Sequence, residues 1–260
     1  MPELDRAAAQ EWISRWDAQQ QAYLPDREQR FAALIEALAK GAGEMPLVLD
    51  LGCGPGSLAV RLLERIPRAQ VVAIDCDPLL LALGEAAHGG RAGLRFADLD
   101  LREPGWATAL GLDRPADAAV STTALHWLPA PALHAMYAEL ATVLRPGGLL
   151  LNGDHLADDG RVAPVLARLE RALTEHVARG DAAAEGVEDW KGWWEAATAD
   201  PVLAGPAAQR GRRRLSEDHH GSESMLLAEH VAGLRAAGFT EIGTLWQHGE
   251  NRILCAVRGG

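Results

Sequence analysis

Val48-Leu49-Asp50-Leu51-Gly52-Cys53-Gly54-Pro55-Gly56 is a short apolar run that ends in three glycines at alternate positions. A run without polar alternation fits a strand covered on both faces. Gly52 and Gly54 allow backbone conformations closed to other residues and let the main chain approach a ligand closely. Leu58 to Ile66 reads as a helix, so the turn leads to a helix N-terminus with free amides. Asp50 discriminates among ligands: an acid beside the turn repels a pyrophosphate and suits a ligand carrying an ammonium group. A dinucleotide fingerprint is GxGxxG. Here the third glycine comes one place early, and Ser57 stands where that pattern wants glycine. The loop therefore fits an amino-acid-bearing nucleoside better than a nicotinamide dinucleotide.

Downstream, strand-like and helix-like segments alternate. Gln70 to Ile74, Leu94 to Ala97, Asp117 to Ser121 and Leu149 to Asn152 read as strands. Pro78 to Ala87 and about Ala130 to Leu144 read as helices, and Arg145-Pro146-Gly147-Gly148 as a turn. This beat implies right-handed βαβ units and a mostly parallel sheet. Asp75 and Asp98 fall at the ends of the second and third strands, where open α/β sheets bind ligands. Asp75 is placed for ribose hydroxyls and Asp98 for an exocyclic adenine amine; the alternative is a set of unrelated helix caps or loop acids.

Upstream, Leu4 to Gln21 reads as a helix with Trp12 and Trp16 one turn apart. Asp26 and Gln29 have the spacing of a capping box, and Phe31, Leu34, Ile35 and Leu38 mark one buried helix face. The stretch from Ala157 to Gly221 breaks the βα beat. It reads as two helices, Val162 to Arg179 and Val187 to Ala197, followed by a Gly/Arg/His-rich loop. A helix from Glu223 to Ala237 and a hairpin of Glu241 to Gln247 with Arg252 to Val257 close the chain. The expected division is N-terminal helices over 1–43, a ligand-binding core over 44–156, a helical insert over 157–221, and a completing helix and hairpin over 222–260.

Composition excludes several classes. The net charge of −11 argues against a nucleic-acid partner. The densest basic run, Arg210, Arg212, Arg213 and Arg214, reads as a solvated loop, with an anion contact as the alternative. Three unpaired cysteines give neither a disulfide framework nor a metal site. No basic-then-apolar leader and no apolar run long enough for a bilayer stand in the sequence. No membrane partner and a cytoplasmic location are expected.

VLDLGCGPGS, VVAIDCDP, RFADLD, DAAVSTTALHWL and LRPGGLLL together resemble successive motifs of class I S-adenosylmethionine (SAM)-dependent methyltransferases, over about Arg30 to Asp154. The resemblance implies a Rossmann-like α/β fold: a doubly wound, seven-stranded, mostly parallel sheet with an antiparallel C-terminal hairpin. It implies SAM as cofactor and S-adenosylhomocysteine (SAH) as product; no Cys/His set with ligand spacing and no cluster of acids suggests a metal. Gly52 and Gly54 would line the methionine and ribose portion, and Asp50 would meet the amino group. Asp75 would bind the ribose, Cys76 would border the adenine, and Asp98 and the Leu99 amide would meet its amine and ring. Ser121 and Thr122 would lie near the methionyl part. Tyr23 to Arg30 is similar to the entry segment of the trans-aconitate methyltransferase group, so Arg30, or else Arg27, would meet the SAM carboxylate. Tyr23 either covers the cofactor or packs on Trp16.

Methyl transfer from a sulfonium needs alignment, exclusion of water and, for alcohols or amides, a base. His126 and His155 follow the fourth and fifth strands and are the candidates for that base; either can instead be a rim residue. Asp154 is placed to orient His155 or to cap a turn. His219 and His220 either swing over the site or form a surface pair. Trp190, Trp193 and Trp194 share a helical face, so they form either a packing stripe or, with Trp127, an aromatic substrate wall. The reading is a methyltransferase for a small molecule, oxygen more than nitrogen, in a monomer or homodimer. The alternatives are an RNA or protein methyltransferase, a nicotinamide oxidoreductase (which would need a Tyr/Lys pair that is not visible), and a protein that holds SAM or SAH without turnover.

Overall fold

The computed structural model describes residues 4–24, 26–180, 187–213 and 226–260. In chain order, α1 (Arg6–Tyr23) and α2 (Arg27–Gly41) precede β1 (Leu47–Leu51), α3 (Ser57–Arg65), β2 (Gln70–Asp75), α4 (Pro78–His88) and β3 (Leu94–Asp98). There follow α5 (Trp106–Ala109), β4 (Ala116–Thr122), a short 3-10 turn at Leu125–Trp127, α6 (Ala130–Val143) and β5 (Leu144–His155). Then come α7 (Pro164–Gly180), α8 (Trp190–Ala199), α9 (Ala204–Arg213), α10 (Leu227–Ala236), β6 (Phe239–His248) and β7 (Asn251–Arg258).

All seven strands join one sheet in the order β3-β2-β1-β4-β5-β7-β6. The first five are parallel, and β7 lies antiparallel between β5 and β6. This is the architecture that the βα rhythm and the resemblance imply. Every residue of β1 is buried. Leu47, Leu49 and Leu51 pack with Tyr137, Leu140 and Leu234 on one face, while Val48 packs with Phe31, Leu34, Leu38, Leu58 and Leu62 on the other. Strand periodicity of two therefore feeds two cores from one apolar run. Each fully buried Leu contributes roughly 1.5–3 kcal/mol, which makes β1 the best-anchored strand under the glycine turn.

A third core docks the segment after β5 onto the N-terminal helices. Trp12, Ile13 and Trp16 of α1 meet Leu79, Leu80 and Leu83 of α4 and Trp193, Ala197 and Leu203 of the inserted segment. Trp193 is fully buried, with its ring 5.7 Å from Trp12 and 4.9 Å from Trp16. It is a packing residue. Polar contacts add to this seam: Arg15 pairs with Glu188 at 2.7 Å, and the Trp12 indole N–H donates to Asp200 at 3.2 Å.

Three local expectations are corrected. The basic run is helical as far as Arg213, because α9 places Pro206 in its first turn, where a missing N–H costs nothing. Its arginines bind the protein's own acids: Arg210 pairs with Asp77 at 2.6 Å, and Arg213 donates to Asp98 at 2.7 Å. Asp26 occupies the N-cap position of α2 but makes no side-chain cap bond; its carboxylate pairs with His248 at 2.9 Å. Finally, β5 runs well past Leu149–Asn152 in both directions, with the Arg145–Gly148 turn absorbed as an irregularity in its pairing with β4.

Candidate active site

A cavity of about 490 Å³ opens at the carboxyl ends of β1, β2 and β4. The glycine turn forms its floor. Gly52 has φ +72°, and a Cβ there would lie 2.4 Å from the Ala124 Cβ, so only glycine lets the segment after β4 close onto the turn. That segment is itself constrained: Thr123, on the cavity wall, has φ +50°, a conformation unfavourable for a β-branched residue. Ser57, which stands in place of the dinucleotide glycine, donates to Asp17 of α1 at 2.6 Å. Asp17 also takes Arg27 at 2.8 Å, tying both helices to the start of α3.

Asp50 lines this cavity, is 1% exposed, and has no hydrogen-bond donor on either carboxylate oxygen among the described residues. Burial, reinforced by the nearby Asp75 charge, pushes it up to about 7, against a smaller opposing pull from the Ala59 amide, which points toward it without forming a hydrogen bond of normal geometry. Asp75 is different. Its two oxygens accept the Gly54 N–H at 2.8 Å and the Asp77 N–H at 2.9 Å, while burial pushes it up to about 6. Each carboxylate oxygen can accept two bonds, so Asp75 keeps acceptor capacity toward the cavity. Cys76 lines the wall as a neutral thiol, pushed up to about 12 by burial and by Asp75.

The other sequence-selected residues are distributed unevenly. Gly52, Gly54, Leu99, Thr122 and Tyr23 stand on the wall. The Leu99 amide is already donated to the Asp75 carbonyl at 3.0 Å. Asp98 lies off the wall, held by Arg213, which also donates to the Cys76 carbonyl at 2.7 Å. Ser121 is fully buried behind the wall and donates to the Leu51 carbonyl at 2.8 Å. Arg30 is also sealed inside; it donates to Asn251 and to Thr122, both at 2.8 Å, and burial lowers it to about 10. It reaches the cavity only through Thr122, whereas Arg27 stands on the wall, paired with Asp17 behind it, and packs over Phe31 at 4.6 Å.

Both histidines of the described residues that were selected as bases line the cavity, and Asp154 orients the unexpected one. His126 Nδ1 lies 2.8 Å from the fully buried Asp154 carboxylate. The same oxygen accepts the backbone N–H of His155, not its ring. Burial pushes His126 down, but the Asp154 charge and hydrogen bond outweigh it and hold the imidazole above its ordinary value. Asp154, despite burial, is held below the ordinary carboxylate range by His126 and Arg30. His155 is lowered by burial, and its Nε2 is buried without a partner. Trp127, Trp190 and Trp194 all line the cavity, together with Trp16. His219 and His220 lie outside the described residues. No group of three or more His, Cys, Asp or Glu among the described residues is placed to hold a metal ion. No helix among them is long and apolar enough to cross a membrane.

Residues 48–148 match the family model described as a methyltransferase domain. The chain carries a class I methyltransferase domain. Its match to the trans-aconitate 2-methyltransferase of Azoarcus sp. is 35% identical over 136 residues, 52% of this chain and 49% of that protein. The match to the Methylobacterium radiotolerans protein of the same name is 31% identical over 186 residues, 70% of this chain and 59% of that one. The chain thus spans about half the length of the curated relatives it matches. Two solved methyltransferases share the fold. Human N-acetylserotonin methyltransferase, in complex with SAM, has a TM-score of 0.55 and 16% identity, over 96% of this chain and 58% of that one. Magnesium protoporphyrin IX methyltransferase from Synechocystis PCC 6803, with bound SAH, has a TM-score of 0.55 and 18% identity, over 95% and 94%. The expected resemblance to this class and to the trans-aconitate group is borne out by these matches.

Sequence reasoning missed several wall residues of this methyltransferase domain's cavity: Trp16, Asp100, Arg102, Thr123 and Arg210. Trp16 carried a signal in its one-turn spacing from Trp12. Arg210 stood out only as part of the basic run, and its partner Asp77 lies 133 residues away in sequence.

Proposed function

We propose that this chain is a SAM-dependent methyltransferase that methylates a small molecule at oxygen. The observation that carries the cofactor assignment is the Asp50 carboxylate, buried and unpartnered on the wall of a glycine-turn cavity. A buried acid with no donor is costly unless a ligand supplies one. The ammonium of an amino-acid-bearing nucleoside does so, whereas a pyrophosphate would add to the repulsion. Asp75 has acceptor capacity for ribose hydroxyls, and Cys76 and Leu99 offer wall surface for the adenine. Asp98 serves the α9 contact in place of the adenine amine. When bound, SAM supplies an activated methyl carbon whose bond to sulfur breaks with the electron pair left on sulfur.

The protein's own contribution to the chemistry is the His126–Asp154 pair. Asp154 is ionised and acceptor-only, so Nδ1 carries the proton and Nε2 is left as the basic nitrogen of neutral His126. Asp154 fixes the ring and stabilises the imidazolium that forms once an acceptor hydroxyl has lost its proton. The inserted segment, with α8 and α9 docked on α1 and α4, covers the acceptor side and excludes water.

Calorimetric titration with SAM, SAH and NAD⁺, on wild type and Asp75→Ala, tests the assignment. Binding of SAM and SAH but not NAD⁺, weakened in the variant, is the expected result. Binding of NAD⁺ alone would overturn it.

A further inference from the structure

The mouth of the cavity is aromatic. Tyr23, Trp127 and Trp190, three of the large apolar side chains left exposed (71%, 39% and 40%), all stand on this one wall. Trp190 is held against Trp16 at 5.4 Å and Trp194 at 5.7 Å, so neighbouring rings fix its plane. Exposed aromatic surface gathered in a concave site marks a place where a ligand is recognised.

The charges on the same wall oppose an anionic ligand. Asp17 holds Arg27 at 2.8 Å, Asp100 holds Arg102 at 2.8 Å, and Asp77 holds Arg210 at 2.6 Å. A ligand with several carboxylates would have to displace protein acids from these arginines, breaking ion pairs that are already made. Stacking against indole rings requires no such exchange.

Resting on the methyltransferase reading above, we infer that the acceptor is a planar aromatic hydroxyl compound without carboxylates, unlike the polycarboxylate in the names of the curated relatives. The hydroxyl oxygen gains the methyl carbon, the carbon–sulfur electron pair stays on sulfur, and the hydroxyl proton passes to His126 and on to solvent.

The test is calorimetric titration of the SAH-saturated protein with 2-naphthol and with trans-aconitate, in wild type, Trp190→Ala and Trp127→Ala. 2-Naphthol should bind saturably and lose roughly fivefold or more in affinity in each variant, while SAH affinity holds. Trans-aconitate should bind no tighter than about 1 mM. Tighter trans-aconitate binding, its methylation in the presence of SAM, absent 2-naphthol binding, or indifference of 2-naphthol to both tryptophans would each overturn the inference. Failure of SAH itself to bind would instead sink the cofactor assignment, and the preliminary SAH titration distinguishes the two.

Discussion

Replacing Asp50 by Asn should stabilise the ligand-free protein and at the same time cripple cofactor binding. Burial raises Asp50 from 3.8 to about 7, so the fold favours its neutral form. For a group raised in this way, the contribution to stability is full below its unfolded value and is lost as pH rises through about 7. The displacement corresponds to about 4 kcal/mol between the two limits. Asparagine escapes the charge but leaves its own amide unpartnered at a cost of about 1–3 kcal/mol. At about pH 8 the variant should therefore gain about 1–3 kcal/mol, or roughly 2–12 °C in Tm for a chain of this size. The gain should shrink by about 4 kcal/mol as pH falls toward about 4, and end as a loss. Denaturant melts of both proteins without ligand, across that range, read the slope directly. Titration with SAM should show the opposite effect, with affinity falling about 10- to 100-fold as a charged hydrogen bond is lost. A stability difference flat with pH, or SAM affinity equal to wild type, would refute the placement of Asp50 as the buried receptor of an ammonium group.

Other substitutions divide the roles of the site. His126→Ala should lower kcat by about 10²–10⁴ with little change in SAM affinity, if kcat is measured with an aromatic alcohol acceptor. In wild type, kcat/KM should rise with pH through a value above the ordinary histidine range, because Asp154 holds the imidazolium; in Asp154→Asn that limb should shift to lower pH, since burial then acts unopposed. Arg210→Ala, which strands the nearly buried Asp77, should cost about 2–4 kcal/mol in denaturant melts. Arg213→Ala, at a pair left nearly half exposed, should cost under about 1 kcal/mol. Gly52→Ala should cost more than about 2 kcal/mol and abolish SAM binding, since its Cβ meets Ala124 at a positive φ.

The parts of the fold legible in sequence were those governed by local rules. β1 was readable because its unbroken apolar run has one structural meaning next to a glycine turn, and Asp50 because an acid in such a run demands a ligand or a partner. Arg30 was readable as a buried charge: Arg27, Arg30, Phe31 and Leu34 follow the same helical stripe, and a charge on that stripe faces the core. Asp154 illustrates a second local rule. Adjacent strand residues project to opposite faces, so its carboxylate turned away from the His155 ring and met His126 from another element. The α9 contacts lay beyond any such rule. Gly205, Pro206 and Gly211 have the composition of a loop, and helix formation there depends on Arg210 and Arg213 finding acids at the ends of β2 and β3. Those partners are tertiary facts.

Three unfavourable features of the structure meet at the floor of the cavity. Asp50 lacks a partner, Thr123 sits at a positive φ, and Gly52 admits no side chain, all within the turn and the segment that closes on it. The acids around the cap are satisfied by Arg15, Arg27, Arg210 and Arg213. A ligand at the floor therefore relieves a cost the empty fold carries, and an ammonium on Asp50 does more than add one contact. It favours the ionised carboxylate against the neighbouring Asp75 charge, so binding near neutral pH should release a proton. Ligand affinity should then rise from about pH 6 to about pH 8, while the Tm of the ligand-saturated protein stays level, because Asp50 is ionised both in the complex and in the unfolded chain. The bare protein should weaken over the same interval, because Asp50 ionises there without a counter-charge.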